Sequence, residues 1–274
     1  MIRNKREEIV SKGLLIVVLI LTIIPFVSML SAALQPANST PVGLMFPSHP
    51  QWHNFVTAFD GGHVGVLMQS SVLIVLGVLP ITVICATLGG YALGRLRVRG
   101  GFFIFILFLL GLTIPFESLI VPLYYEIDSL NLLNSQKALI FPLIGLFMPF
   151  SVIWMRAHFM QVPQEISEAA EVDGASRIQE FFKVQLPLAA NALSALGILI
   201  FLWTWNQFIL GLVLIDDPLK RTVAGSLTYF QGQYWISIPL LDAGALIIIT
   251  PAVAIFLVFH KRFISALLQG AVKG

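Results

Sequence analysis

Apolar residues crowd into six stretches of the chain, roughly Gly13–Leu34, Val66–Gly94, Phe102–Leu123, Ala138–Phe159, Leu188–Ile215 and Leu241–Phe259. A helix needs about 20 mostly apolar residues to cross a bilayer, so the pattern predicts six transmembrane helices. Pro25, Pro80, Pro115, Pro142 and Pro251 fall inside these stretches. Such breakers are tolerated in packed membrane bundles, where they kink the helices. Between the first two stretches, Gln35 to Gln69 holds no lysine or arginine and is rich in proline, glycine and histidine. It reads as a loop outside the cytoplasm with short structure of its own. The first stretch follows basic residues and ends near Ser31-Ala32-Ala33, but it is long for a signal sequence and is expected to be a retained helix.

One polar, acidic segment interrupts the pattern, Pro163 to Pro187. Pro163 suits the start of a helix, and Glu165, Glu168 and Glu171 recur every third residue, so one face of that helix is acidic. Asp173-Gly174 predicts its end, because glycine tolerates the left-handed conformation that closes a helix. Ser176 with Gln179 three residues later is a capping-box pattern that starts a second helix. Ile178, Phe181, Phe182 and Gln185 then fall at helical spacing and form one apolar side, suited to a membrane surface or to the feet of neighbouring helices.

Glu168-Ala169-Ala170, three residues to Gly174, nine more to Val184, then Leu186-Pro187, resembles the EAA loop of permease subunits of ATP-binding-cassette importers. That family prefers isoleucine where Val184 stands. The resemblance implies that Glu168, Ala169, Ala170, Asp173, Gly174, Leu186 and Pro187 couple this chain to a cytoplasmic ATPase, Glu168 meeting a basic partner. Further signatures resemble the sugar-importer branch. Leu130-Asn131-Leu132-Leu133-Asn134 lies before the fourth stretch, Trp203-Thr204-Trp205-Asn206-Gln207-Phe208 in the fifth, and Phe230-Gln231-Gly232-Gln233 and Gly270-Ala271-Val272-Lys273-Gly274 near the end.

Composition agrees with a polytopic membrane protein: 57% hydrophobic and 11% charged residues, with mean hydropathy +0.90. The formal net charge of +2 points to no nucleic acid partner. Placing the amino terminus in the cytoplasm puts Arg3, Lys5, Arg6, Lys12, Arg95, Arg97, Arg99, Arg156, Arg177, Lys183, Lys261, Arg262 and Lys273 inside, and only Lys137, Lys220 and Arg221 outside. The positive-inside rule then predicts that both termini and the 163–187 loop are cytoplasmic. The basic turn from Arg95 to Gly101 is accounted for by topology and lipid headgroups. Arg156 reads as an anchor at the headgroup boundary. Cys85, the one cysteine, reads as a small packing residue. His49, His53 and His63 match no metal motif.

Five residues are candidates for a substrate pathway: Glu117, Trp203, Trp205, Asn206 and Gln207. Helical rise puts Asn206 about 27 Å along the fifth stretch and Glu117 about 22 Å along the third. An indole can carry the apolar face of a sugar ring while amides bond its hydroxyls. Equally open is a belt role for Trp203 and Trp205, with Asn206 bonding a neighbouring helix. A carboxylate inside an apolar run suggests a pathway or partner, though Glu117 follows Pro115 near a boundary where water reaches it.

No phosphate-cradling G-x-x-x-x-G-K-S/T occurs in the sequence. The expectation is an all-α, six-helix membrane protein, to which the resemblance adds the architecture of a type I importer permease and a sugar or sugar derivative as cargo. Its parts are a first segment with the first helix and outer loop over 1–65, a five-helix core over 66–262, and a cytoplasmic tail over 263–274. By the same resemblance its partners are a second, distinct permease, two copies of an ATPase that binds ATP and Mg²⁺, and an extracytoplasmic sugar-binding protein, all in a bacterial or archaeal cell membrane. An ion-coupled carrier would need intramembrane carboxylates or unwound helices. An intramembrane hydrolase would need paired catalytic groups, and the six stretches offer none.

Overall fold

A computed structural model describes residues 5–96, 98–231 and 236–271. Arg3, Arg97 and Lys273 of the charge distribution, Gly232-Gln233 and Val272 to Gly274 lie outside the described residues. In chain order the helices are α1 (Lys5–Ala33), α2 (His53–Gly61), α3 (Val64–Gly94), α4 (Gly101–Thr113), α5 (Ile120–Ser129), α6 (Lys137–Gln161), α7 (Gln164–Val172), α8 (Arg177–Glu180), α9 (Leu186–Leu188), α10 (Ala190–Trp205), α11 (Ile209–Leu214) and α12 (Ile238–Ala271). Tighter turns of helix cover Phe116–Leu119, Pro218–Lys220 and Val223–Phe230, and a wider one, Phe181–Gln185, joins α8 to α9. Among the described residues, extended pairing is confined to one antiparallel bridge between Gln231 and Ile236.

Among the described residues, four helices are continuous and apolar enough to cross a bilayer: α1 from Glu8, α3, α6, and α12 as far as Ser265. Two bent pairs raise the number to six if each pair makes one span. The all-α membrane fold expected from the pattern is therefore present, with the third and fifth stretches each forming part of a bent pair. The third stretch stops at Thr113 because Ile114, the residue before Pro115, is driven to extended backbone with ψ 120°. Phe116–Ser129 then leaves at 97°. Glu117 consequently sits exposed in the connecting turn and not 22 Å along a helix. In the fifth stretch the chain bends by 69° after Pro187, and α10 ends at Trp205, with Asn206 as its cap. At the carboxyl end, the segment expected to be a tail from 263 continues α12 as far as Ala271. Nothing between Phe263 and Gln269 breaks a helix, so the periodic run simply extends.

Prolines 25, 80, 142, 149 and 251 are accommodated inside helices. Hydroxyls of Thr22, Thr87, Ser151, Ser194, Thr204 and Thr250 each donate to the carbonyl four residues back. Those bonds satisfy polar groups that lipid would leave unpaired.

Chain contacts divide the molecule into two compact units, Met1–Gly65 with Ser226–Thr250, and Val66–Gly225 with Pro251–Gly274. In the first, α1 exposes apolar side chains all round from Ile9 to Phe26. A surface of that kind suits lipid. Ala33, Ala58, Phe230 and Ala243 form the small core of this unit.

In the second unit, α3 lies along α6 with Gly77 against Ile140, Gly90 against Met155 and Gly94 against Phe159. Both helices therefore run in the same direction. α10 returns in the opposite sense: Trp203 meets Phe147 and Phe150, while Trp154 Nε1 donates to the Ala192 carbonyl at 3.1 Å. This topology brings the Arg95 turn and the 163–187 loop to one end. At the other end Asn134, with φ +57°, ties two loops together. Its amide N–H donates to Leu214 O, its Oδ1 accepts from the Asp217 amide at 2.9 Å, and its carbonyl accepts from Lys220 Nζ. Ser70 donates to Lys220 O, and the Val223 amide donates to Ser71 Oγ, anchoring the same segment to the start of α3.

Candidate coupling surface and substrate cleft

α7 is a helix of nine residues with Pro163 as its first cap and Asp173 as its last. Gly174 adopts φ +78°. The Gly174 amide bonds Glu171 O and the Ala175 amide bonds Ala170 O, at 3.0 and 2.9 Å. This paired arrangement closes a helix and uses the residue type that tolerates positive φ without strain. Two residues on, Ser176 Oγ accepts from the Gln179 amide while Gln179 Oε1 accepts from the Ser176 amide, completing the capping box. Local chemistry alone fixes this turn.

Glu168 and Ala169 face outward and Ala170 is buried. Gln164 Nε2 donates to Glu168 Oε1 at 3.0 Å, one helical turn apart. Leu186 is half-buried and Pro187 exposed just before the bend into α10. The apolar side predicted for the second helix is split lengthwise. Phe181 and Gln185 are buried, with Phe181 against the Tyr91 ring at 4.9 Å, whereas Ile178 and Phe182 are exposed. Val172, 88% exposed, adds to this outward apolar surface beside the glutamates.

The loop is bolted to the helix ends above it. Arg95 Nη2 donates to Pro163 O and to Ser167 Oγ, both at 2.9 Å. Gln185 Nε2 donates to Ser167 Oγ at 3.0 Å and to Glu180 Oε1 at 3.1 Å, with Gln185 fully buried. Sequence reasoning gave Arg95 no role beyond topology. Its spacing carries no signal, because the contact is made across 72 residues of chain. Arg156, read as a headgroup anchor, places its guanidinium 4.0 Å from the centre of the Phe105 ring, so it also ties α6 to α4. Between the two coupling helices lies a polar notch of about 440 Å³, lined by Gln164, Ser167, Glu168, Glu171, Arg177 and Glu180 among others.

A larger cleft of about 880 Å³ opens between α4, α5, α6 and the end of α10. Of the five pathway candidates it brings together Trp203, Asn206 and Gln207. Trp203 stands on edge against Phe150 at 5.0 Å and near Phe147 at 5.5 Å, leaving an aromatic wall. Asn206 Nδ2 donates to Leu202 O, and Gln207 is held by Thr222 Oγ1 donating to its carbonyl. Glu117 does not line the cleft, and neither does Trp205, which is buried and stacked on Phe201 at 5.5 Å. The carboxylate that does line it is Glu126. Sequence reasoning missed Glu126, since only the 97° bend carries α5 to the cleft.

Residues 86–269, which include the whole coupling loop and every residue lining the cleft, match the family described as the binding-protein-dependent transport system inner membrane component. The chain belongs to this family. It is the integral membrane permease component of a binding-protein-dependent transport system. Among similar permeases, the sulfoquinovosyl glycerol transport system permease protein SmoH of Agrobacterium fabrum is 32% identical over 229 residues, 84% of this chain and 80% of that one. The arabinooligosaccharides transport system permease protein AraQ of Halalkalibacterium halodurans is 31% identical over 259 residues, 93% and 92% of the two chains. In a crystal structure of a bacterial ABC transporter involved in the import of the acidic polysaccharide alginate, one chain shares this permease's fold. Its TM-score is 0.78 at 19% identity, with 96% of this chain and 98% of that one covered.

Proposed function

We propose that this permease carries a sugar or sugar derivative through a pathway that includes the aromatic cleft, as one half of a heterodimer with a second, distinct permease. The observation that carries the reading is the cleft wall: Trp203, Phe147 and Phe150 beside the amides of Asn206 and Gln207. Aromatic faces take the apolar face of a pyranose, and amides serve its hydroxyls. The names of its relatives, a sulfoquinovosyl glycerol permease and an arabinooligosaccharide permease, support the same substrate class.

The importer carries two copies of an ATPase, which bind the ATP and Mg²⁺, and one of them docks on the 163–187 loop. Glu168 meets a basic residue there, and Val172, Ile178 and Phe182 give the interface its apolar part. Glu168, Ala169, Ala170, Asp173, Gly174, Leu186 and Pro187 act together as the coupling element. ATP-driven closure of the ATPase pair biases two packed arrangements of the membrane helices, and hydrolysis returns them. The loop end faces the cytoplasm of a bacterial or archaeal cell, a reading supported by Arg95, Arg99, Arg156, Arg177 and Lys183 at that end against Lys137, Lys220 and Arg221 at the other. An ion-coupled carrier gains no support from Glu117, which is exposed in a turn.

The test is purification of the tagged chain from its native membrane with mass spectrometry of its companions, followed by sugar uptake in proteoliposomes. ATP-dependent uptake that survives collapse of the proton gradient is expected. Uptake that follows the proton gradient and ignores ATP would overturn the proposal.

A further inference from the structure

The nine residues of α2 are held between the ends of two apolar helices. At its start, Asn54 Nδ2 donates to Ala33 O at 2.8 Å and to Gln35 O at 2.7 Å, and the Gln51 amide donates to Leu34 O at 2.9 Å. These bonds satisfy carbonyls left open where α1 ends. At its finish, the Gly62 and His63 amides bond Ala58 O and Asp60 O, and α3 begins at Val64. Hydrogen bonds thus tie the start of α2 to the end of α1 across the loop between them, and only Gly62 and His63 separate its finish from the spanning helix α3, so α2 is held where these apolar helices end.

Around the α2 axis the residues sort into three sectors. Asn54, Ala58 and Gly62 are buried, with Ala58 packed beside Ala33, Phe230 and Ala243. Next to that buried side, Trp52, Val56 and Phe59 are spaced by four and three residues and so share a stripe. They are 62%, 52% and 42% exposed. Trp52 also stacks on half-buried Phe55, with ring centres 6.1 Å apart. His53, Thr57 and Asp60 occupy the remaining side, and all three are exposed.

We infer that α2 is an interfacial helix, lying in the headgroup layer at one membrane surface with Trp52, Val56 and Phe59 sunk among the lipid chains and His53, Thr57 and Asp60 toward water. An apolar stripe beside a polar one at the level where spanning helices end has lipid as its neighbour, and tryptophan is suited to that boundary because its ring is apolar and its N–H wet. The helix therefore fixes the height of the α1 end, and with it the loop between α1 and α2, against the bilayer.

The test uses the assembled importer in lipid nanodiscs. Cys85 is replaced by Ser, and a nitroxide is attached through single cysteines at Val56, Phe59, Thr57 and Asp60. Collision with oxygen, which concentrates in lipid, should exceed collision with a water-soluble nickel complex several-fold at 56 and 59, and the order should reverse at 57 and 60. Nickel dominance at 56 and 59 would overturn the inference by placing the stripe in water. Exclusion of both reagents there would also overturn it, since the stripe would then be covered by protein. An independent readout needs no cysteine. Nanodiscs of lipid brominated near the headgroup should quench the tryptophan fluorescence of the native chain more than that of Trp52→Phe, and equal quenching would count against lipid contact.

Discussion

Arg95, one residue past the end of α3, donates from Nη2 to Ser167 Oγ on α7 at 2.9 Å. The same nitrogen holds Pro163 O, and Ser167 in turn accepts from buried Gln185. Arg95 thus joins a membrane helix to the first coupling helix, and Ser167 carries the link on to Gln185 beyond the second. Any displacement of α7 by a partner is passed to the foot of α3 through bonds as well as through the backbone at α6.

Arg95→Ala removes the donor from both contacts. Hydrogen bonds from a charged group contribute about 1.5–3 kcal/mol each when buried, and partial exposure of Arg95 puts the loss at the low end. The importer should still assemble, but sugar moved per ATP hydrolysed should fall several-fold in proteoliposomes, while Arg95→Lys recovers part of it. An unchanged ratio in the alanine variant would remove Arg95 from coupling.

At Gly174 the cost of substitution is conformational. A Cβ there would meet no atom within 4 Å, yet φ is +78°. A residue with a side chain pays about 1–2 kcal/mol in that region, and asparagine less than most. Uptake should therefore rank glycine, then Asn, then Ala, with Gly174→Asp inactive because it adds a charge beside Asp173 and Glu171. Immunoblots of membrane fractions should show all three variants at ordinary levels. A fully active Gly174→Asp would mean that the turn does not set the angle of the docking helix.

What could be read from the sequence is what neighbours in sequence decide. The stop at Gly174 and the Ser176–Gln179 box need only a few residues to form, and six apolar stretches declare themselves by length. The misread features depend on distant partners or on a single proline in its context. Pro80 and Pro142 sit inside unbroken helices, while Pro115, the same residue type, ends one. The side of the second coupling helix that is buried is chosen by Tyr91, far away in the chain, and by Ser167 on the preceding helix. Asn206 and Gln207 fall on the cleft whereas Trp205, their neighbour, turns inward, and only the end of α10 at Trp205 separates them.

Gly90 tests the seam between α3 and α6. A Cβ there would stand 2.5 Å from Met155 Cβ and 2.8 Å from the Arg156 amide nitrogen and the Met155 carbonyl carbon. Two of these three atoms are backbone, so relief requires the helices to part. Overpacking of this kind costs about 1–3 kcal/mol. Gly90→Ala should lower the melting temperature in nanodiscs by several degrees. Gly197→Ala, where a Cβ meets nothing within 4 Å, should leave it unchanged or raise it. Equal melting of the two variants would contradict the close approach.

Trp203 and Trp205 are two residues apart and should respond to alanine in different currencies. Trp203 is partly exposed on the cleft wall, and its loss removes an aromatic face that contributes about 0.5–1.5 kcal/mol to a stacked partner. Titration of the assembled permease with the transported sugar should then show affinity weakened about 2- to 10-fold, with melting little changed. Trp205 is buried on Phe201, and cutting a large aromatic from a packed site costs about 3–5 kcal/mol, so Trp205→Ala should melt early or fail to accumulate. Asn206→Ala should follow Trp203→Ala, because its side chain reaches the cleft and its loss breaks only a bond within its own helix end. If Trp205→Ala alone weakened sugar binding at undiminished stability, the substrate path would lie on the other side of α10.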